Sequence, residues 1–234
     1  MKINLNQKLI DLIEHYNLIN ANYLLSNIPL KRTLQSKDDG FDKTKFEKLN
    51  SLKRRIQLIK NCDLKKSATN IVFGDGNINS KIMLIGEGPG AQEDAEGKPF
   101  VGRAGKLLDK MLNSIQLDRS KVYISNVVNY RPPENRPPTE IEIKRYLPYL
   151  KNHIEIIKPK ILVLLGKTAL NSLAGSEVII SKARGKWIQK EIGSIKTWVI
   201  ASFHPAFLMR QPEQKKLAWL DLQMIRDKFK NLKI

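Results

Sequence analysis

The chain has 234 residues and a formal net charge of +18, with 41 Lys or Arg against 23 Asp or Glu and an isoelectric point near 9.9. This length suffices for one large domain with a full core plus a small extension. The basic excess favours a polyanionic partner, nucleic acid ahead of an anionic membrane, although a lysine-rich composition also raises charge without a function. The single cysteine, Cys62, excludes an internal disulfide and any site built from several cysteines, and it fits a reducing compartment.

No apolar run approaches 18 residues, so the sequence predicts no transmembrane helix. The first residues include acidic side chains and lack a small-residue cleavage site, unlike a secretory signal. We therefore expect a cytoplasmic protein without a membrane partner.

Two parts are predicted, a helical extension over residues 1–55 and an α/β domain over residues 56–234. Within the first part, apolar residues recur at helical spacing in 1–25, and the polar stretch 26–41 is typical of a linker. A basic helix is predicted over 42–60.

In the second part, strands and helices alternate, which predicts a three-layer α/β/α sandwich around a central, mainly parallel four-stranded sheet. Strands are predicted at 81–85, 122–126, 161–165 and 197–202, and helices at 106–112, 140–157, 166–173 and 214–230. Irregular structure is predicted at 61–76, with a possible strand at 70–73 and a turn at Asp75-Gly76, and a hairpin at 175–196. Thr139 and Glu142 have the spacing of a capping box at the start of the helix 140–157.

The carboxyl ends of parallel strands meet at one edge of a sheet, where α/β proteins bind ligands. This topology gathers four stretches that carry most of the chemically useful side chains: Gly86–Gly105, Asn126–Asn135, Gly166-Lys167 and His204–Arg210. The first stretch begins GEGPGAQED. It lacks the Gly-Lys-Ser/Thr ending of a phosphate-binding loop and the third glycine of a dinucleotide fingerprint, and its carboxylates would repel a pyrophosphate.

Five segments together resemble the uracil-DNA glycosylase superfamily, and within it the family-four type: GEGPGAQED, KPFVGRAGKLLDKML, VYISNVVNYRPPENRPP, ILVLLGKTAL and SFHPAFLMRQP. The resemblance covers about residues 60–230. It implies a monomeric bacterial enzyme, acting at the nucleoid, that flips uracil out of single- or double-stranded DNA and hydrolyses its N-glycosidic bond. Such a protein leaves an abasic site for base excision repair.

The same resemblance implies roles for the residues that would bind uracil. Phe100 would stack on the base, Asn126 would read its edge, and His204 would donate to its O2 as negative charge develops. Gly88 stands where better-known members carry Asp or Asn, and Asn135 matches another site position.

Two carboxylates compete for the water-positioning role. Glu87 and Glu93 both lie in the first motif, and either would orient water and stabilise a cationic sugar. Glu93 could instead wall the pocket against the methyl group of thymine. Asp94 could cap the local turn.

Contacts to DNA are expected from the basic and apolar residues beside the site. Leu208 and Met209 match a loop that wedges into the duplex, with ordinary helix packing as the alternative. Lys167, Arg184 and Arg210 are candidates for phosphate contacts, or else part of a solvated basic surface.

Family-four members hold an iron-sulfur cluster with four cysteines, which align here with Ile59, Cys62, Tyr130 and Tyr146. One thiolate cannot hold a cluster that needs about four, so we expect no cofactor and no metal. No lysine on these motifs is placed as an obvious amine nucleophile, which favours hydrolysis without a covalent intermediate. The rival hypotheses are an inactive DNA-binding relative and a polymerase-associated or membrane-surface module.

Overall fold

A six-stranded sheet runs through the part of the chain that the computed structural model describes, residues 43–175 and 178–233. Its strands are β1 (Asp75–Gly76), β2 (Ile82–Gly86), β3 (Tyr123–Asn126), β4 (Ile161–Leu165), β5 (Ile188–Ile192) and β6 (Ile195–Ser202). The predicted helices in 1–25 and the linker 26–41 lie outside the described residues.

The strand order is β1-β3-β2-β4-β6-β5. The four inner strands are parallel, with Leu84 paired to Ile124 on one side and to Val163 on the other. These are the four predicted strands. The two edge strands are antiparallel additions, of which β1 occupies the predicted turn and β5 pairs with β6 across the predicted hairpin. No strand forms at 70–73.

The inner strands are parallel because each is apolar enough to be covered on both faces. Every residue of β2 and β4 is buried. Alternate side chains enter different cores: Leu162 and Leu164 face one, while Ile161 and Val163 face the other.

Helices cover both faces of the sheet. They are α1 (Lys43–Gln57), α2 (Asp63–Ser67), α3 (Ala91–Glu96), α4 (Arg103–Asn113), α5 (Glu140–Ile157), α6 (Lys167–Ala174), α7 (Ile180–Ala183), α8 (Pro205–Arg210) and α9 (Lys215–Asn231). The first core takes side chains from α1, α5 and α6, and the second from α4 and α9. Within these described residues, no helix combines the length and apolar character needed to cross a bilayer.

Helix α5 begins as the sequence predicts. The Thr139 hydroxyl accepts a hydrogen bond from the Glu142 amide at 3.2 Å, and the Glu142 carboxylate accepts one from the Thr139 amide at 2.7 Å. This capping box ends the proline-rich loop at a fixed point.

Helix α1 packs onto the described domain, because Leu49, Leu52 and Ile56 belong to the first core. The proposed division of the chain at residue 55 remains a prediction.

Candidate functional site

A cavity of about 190 Å³ opens where the inner strands end. Ligand cavities for drug-sized molecules typically span roughly 300–1,000 Å³, so this one suits a single aromatic ring. We call it the strand-end pocket. Its lining residues are Glu87, Gly88, Pro89, Gly90, Glu93, Phe100, Ala104, Asn126, Pro132, Asn135, Arg136, Pro138, His204 and Ala206.

Phe100 forms one wall of the strand-end pocket. Its ring lies against the backbone of Gly86, where a Cβ atom would come within 2.5 Å of the ring Cζ and would also overlap the Asn126 side chain. The ring centroid is 5.5 Å from that of His204. Gly86 therefore lets an aromatic face, an amide and an imidazole meet in one small space.

Asn126 presents an unsatisfied acceptor. It is the last residue of β3 and only 3% exposed. Its Oδ1 is buried and has no hydrogen-bond partner among the described residues. Buried polar atoms are nearly always paired, so this oxygen is available to accept a hydrogen bond from a ligand in the pocket.

His204 lies two residues after β6 and caps α8, since its Nδ1 accepts a hydrogen bond from the Ala206 amide at 3.2 Å. Burial, together with nearby Arg210, lowers the pKa of His204 to about 4, against an opposing effect of Glu93. The ring is therefore neutral at physiological pH, and its proton is on Nε2. A neutral donor results, held in one orientation by its own helix cap.

The Glu93 carboxylate accepts hydrogen bonds from backbone amides on both sides of Phe100. One carboxylate oxygen accepts hydrogen bonds from the amides of Val101 at 3.0 Å and Gly102 at 2.8 Å, and the other accepts one from Gly90 at 3.1 Å. This side chain thus ties the start of α3 to the start of α4. The helix α3, which the sequence pattern did not predict, lies within the glycine-rich loop, and the Glu93 carboxylate caps its start through the Gly90 amide.

The Glu87 carboxylate has one hydrogen-bonding partner among the described residues, the Thr168 hydroxyl near the start of α6. Its carboxylate lines the strand-end pocket and also a second, larger cavity beside α6. Of the two candidate glutamates, it is therefore the one with more oxygen lone pairs available to a ligand or water.

Comparison with known proteins agrees with this arrangement. A model of the uracil DNA glycosylase superfamily matches residues 73–223, which include every strand end described above. The chain belongs to the uracil DNA glycosylase superfamily.

Relatives within the superfamily cover most of the chain. It is 42% identical over 175 residues to a type-4 uracil-DNA glycosylase of Archaeoglobus fulgidus, covering 73% of this chain and 88% of the relative. It is 44% identical over 168 residues to a type-4 uracil-DNA glycosylase of Thermotoga maritima, covering 71% and 86%. A DNA polymerase of Bacillus phage SP01 is 32% identical over 153 residues, which is 65% of this chain but 16% of the polymerase.

Asn135 lies at the mouth of the pocket in a proline-rich loop. It is exposed, and its amide oxygen accepts a hydrogen bond from Arg131 at 2.8 Å. Arg136 also lines the pocket and is paired with Glu142, the capping residue of α5, at 2.7 Å. The helix cap thereby anchors this loop over the pocket.

Two residues predicted to contact DNA are placed differently by the structure. The Arg184 guanidinium forms an ion pair with Asp221, whose side chain is fully buried, so it is not available to a phosphate. The Leu208 side chain is 1% exposed and belongs to the second core, so it is not an exposed wedge. Both positions look basic or apolar in sequence. Only the structure shows that α9 covers Arg184 and that Leu208 packs into the second core beside α4.

The other predicted DNA contacts lie at the surface. Lys167 and Arg210 are exposed, and Met209 is partly exposed. Asp94, by contrast, is a structural residue: its buried carboxylate accepts hydrogen bonds from the amides of Thr69 and Asn70 at 2.9 and 3.0 Å.

The family resemblance aligns four residues with the cluster cysteines of family-four members, and we call them the Cys62 core: Ile59, Cys62, Tyr130 and Tyr146. Tyr146 is fully buried, and its hydroxyl lies 3.3 Å from the Cys62 sulfur. Burial, and then the contact with Cys62, raises the pKa of Tyr146. One thiol, two phenols and an alkyl group do not fit a cluster that needs about four thiolates.

Three contributing residues escaped the sequence reasoning. Thr168 and Arg136 lie next to positions that the strand-end argument did select. Arg119 donates hydrogen bonds to the carbonyl oxygens of Pro99 and Phe100 beside the pocket. It precedes β3 rather than following a strand, so no motif or topology signal marks it.

Proposed function

We propose that this protein is a monofunctional uracil-DNA glycosylase that removes uracil from DNA in base excision repair. The observation that carries the proposal is the unpartnered Asn126 Oδ1 in a pocket shared with the Phe100 ring and a neutral His204. The type-4 relatives support the same activity.

Base recognition follows from the pocket's hydrogen-bonding groups. An enzyme that acts on a base must take it out of the stack and into a pocket. Asn126 Oδ1 would accept a hydrogen bond from N3–H of uracil, and its amide nitrogen would donate to O4. Cytosine lacks the N3 hydrogen and carries an amino group at C4, so both contacts would fail. Phe100 would stack on the ring.

Departure of the base requires stabilisation of a uracil anion. The Nε2–H of neutral His204 would donate to O2 as the glycosidic bond breaks. A donor already fixed where charge develops stabilises the transition state more than the substrate. The low pKa of His204 keeps this group neutral, so it stabilises the anion without transferring its proton.

Glu87 is the better candidate for positioning the attacking water. The three backbone hydrogen bonds of Glu93 make that side chain a structural support for the Phe100 loop. Among the described residues, the Glu87 carboxylate is held by Thr168 alone, and it keeps acceptor capacity toward the pocket. Its charge would also favour a cationic sugar in the transition state. None of the residues that line the pocket is a lysine, which supports direct hydrolysis.

DNA would lie across the pocket mouth on the basic surface. Lys167 and Arg210 would contact phosphates, Met209 would replace the flipped base in the duplex, and Asn135 would contact the strand. The proposed enzyme acts as a monomer on genomic DNA at the bacterial nucleoid, in single or double strands.

We further propose that the protein contains no iron-sulfur cluster, because the Cys62 core fills that position with packed side chains. Iron analysis and visible absorption of protein expressed with ample iron test this. About four iron atoms per chain would contradict it. A variant combining Ile59→Cys, Tyr130→Cys and Tyr146→Cys is the matched positive control.

The activity is tested with a uracil-containing oligonucleotide in the presence of a metal chelator, followed by alkaline cleavage of abasic sites. We expect cleavage of the uracil strand and none of the matched thymine strand. The variant His204→Ala should excise about 10²–10³ times more slowly. Wild-type protein that binds the oligonucleotide but releases no uracil would be the inactive DNA-binding relative instead.

A further inference from the structure

The main chain of Phe100 has a conformation that needs support. Its φ angle is +54°, in the left-handed region that bulky residues rarely occupy. A Cβ atom at Gly105 would overlap the carbonyl group of Phe100, so the first turn of α4 packs directly on this peptide. The ring that lines the strand-end pocket is therefore carried by an unfavourable backbone geometry that neighbouring groups must hold.

Arg119 holds the carbonyl side of this turn. Its guanidinium donates hydrogen bonds to the carbonyl oxygen of Phe100 and, at 3.1 Å, to that of Pro99. Glu93 holds the amide side through Val101 and Gly102. Arg119 therefore binds the carbonyl groups, and Glu93 the amide groups, of consecutive peptides around Phe100.

Arg119 is itself fixed by two carboxylates. Its Nε donates to Asp109 of α4 at 2.9 Å, and its Nη1 donates to Asp75 of β1 at 2.9 Å. The side chains of Arg119 and Asp75 are about a quarter exposed, at 26% and 28%. One guanidinium therefore connects an edge strand, a helix and the Phe100 turn, and all three of its nitrogens are used.

We propose that Arg119 is a positioning residue for uracil excision, acting through the backbone of Phe100 and oriented by Asp75 and Asp109. Arg119 does not line the strand-end pocket, so it does not touch the base. It determines where the stacking ring lies relative to Asn126 and His204. The inference rests on the proposed function, because its readout is the excision of uracil.

The arrangement requires arginine rather than any cation. A planar guanidinium reaches two carbonyl oxygens and two carboxylates at once, whereas a lysine ammonium is a single point with three donors. Arg119→Lys keeps the charge but cannot hold both peptides, so the Phe100 ring would shift. Displacements of about 1 Å in a catalytic site cost on the order of 10²-fold in rate.

The test compares single-turnover excision at saturating enzyme with affinity for uracil-free duplex and inhibition by free uracil. For Arg119→Lys we expect excision to slow by about tenfold to a hundredfold and free uracil to bind less tightly. Affinity for uracil-free duplex should stay within about twofold, because phosphate contacts dominate it. A role in stability alone would leave the first two measurements unchanged for the folded protein.

Asp109→Asn is the milder second variant, and it should slow excision by about threefold while retaining the fold. Arg226→Lys is the matched control, since Arg226 pairs with Asp227 on the surface of α9. Excision by Arg119→Lys within about twofold of wild type, or an equal loss in Arg226→Lys, would overturn the inference. Absence of uracil release from the wild-type protein would instead reject the proposed function.

Discussion

The strand-end pocket and the Cys62 core treat buried polar atoms in opposite ways. In the pocket, Asn126 keeps an acceptor without a partner among the described residues. In the core, the Tyr146 hydroxyl and the Cys62 sulfur satisfy each other at 3.3 Å. The pocket leaves an acceptor that a ligand can satisfy, whereas the polar groups of the Cys62 core satisfy each other. Variants should therefore separate activity from stability according to the region they change.

The largest effect is expected from Asn126→Ala, which should slow uracil excision by about 10²–10³-fold. Its free energy of unfolding should change by about 1 kcal/mol or less, because Oδ1 has no partner to lose in the part of the chain that the structure describes. Oligonucleotide cleavage and urea unfolding measure the two quantities.

Asn129→Ala is the matched control for that variant. Asn129 is also buried, but its amide donates to the carbonyl oxygen of Val72 at 3.1 Å and it does not line the pocket. We expect the converse result, a loss of about 1–3 kcal/mol in stability with excision retained. Equal patterns in the two variants would erase the contrast between the regions.

Tyr146→Ala should destabilise the protein by about 3–5 kcal/mol, since it removes a fully buried aromatic ring. Tyr146→Phe removes only the hydroxyl and should cost about 1 kcal/mol. Denaturant unfolding checks both values. Excision per folded molecule should match wild type, and a selective loss of activity in Tyr146→Phe would show that the core affects the pocket.

Within the pocket, Glu87→Gln and Glu93→Gln should differ in kind. Glu87→Gln removes the charge near the sugar and should slow excision by about 10²-fold at unchanged stability. Glu93→Gln weakens a backbone clamp and should lower stability by about 1–2 kcal/mol, with a smaller effect on rate. Single-turnover rates combined with unfolding curves distinguish them, and the reverse ranking of rates would assign the water to Glu93.

The last prediction concerns the dependence of stability on pH. His153 is 2% exposed, packs against Phe73 and Tyr123, and has its pKa lowered to about 3 by burial. The unfolded chain takes up a proton below pH 6.5 and the folded chain does not until much lower pH. Stability should therefore fall as pH decreases from 6.5 toward 3, by about 1.4 kcal/mol per pH unit for this group.

His204 adds a similar decline between pH 6.5 and about 4. Urea unfolding between pH 7 and pH 4.5 measures the combined slope. In His153→Phe, the pH dependence of the free energy of unfolding should be smaller by the contribution of one histidine, about 1.4 kcal/mol per pH unit. An unchanged slope would mean that His153 does not contribute. Excision should show no loss from His204 protonation above pH 5.

The sequence predicts those features that depend on local pattern. Continuous apolar runs identify the inner strands such as β4, and the spacing of Thr139 and Glu142 identifies the start of α5. Strand ends then locate the neighbourhood of Asn126 and His204, and the family resemblance supplies their roles.

Features that depend on distant partners are not predictable in this way. Arg184 and Leu208 look available in sequence but are covered by α9 and the second core. Glu93 is one of two similar carboxylates until the amides of Val101 and Gly102 are placed beside it. The short edge strand β1 exists because β3 pairs with it, in a segment whose own residues indicate a turn.

Gly86 has a consequence for mutational tolerance. All nineteen alternative residues carry a Cβ atom, and at this position it would lie 2.5 Å from the Phe100 ring and overlap the Asn126 amide. Any replacement would therefore push the Phe100 ring toward the space that a base would occupy, so that the protein's own side chain would block substrate binding. We expect this codon to tolerate no missense change, although the residue carries no side chain and performs no chemistry.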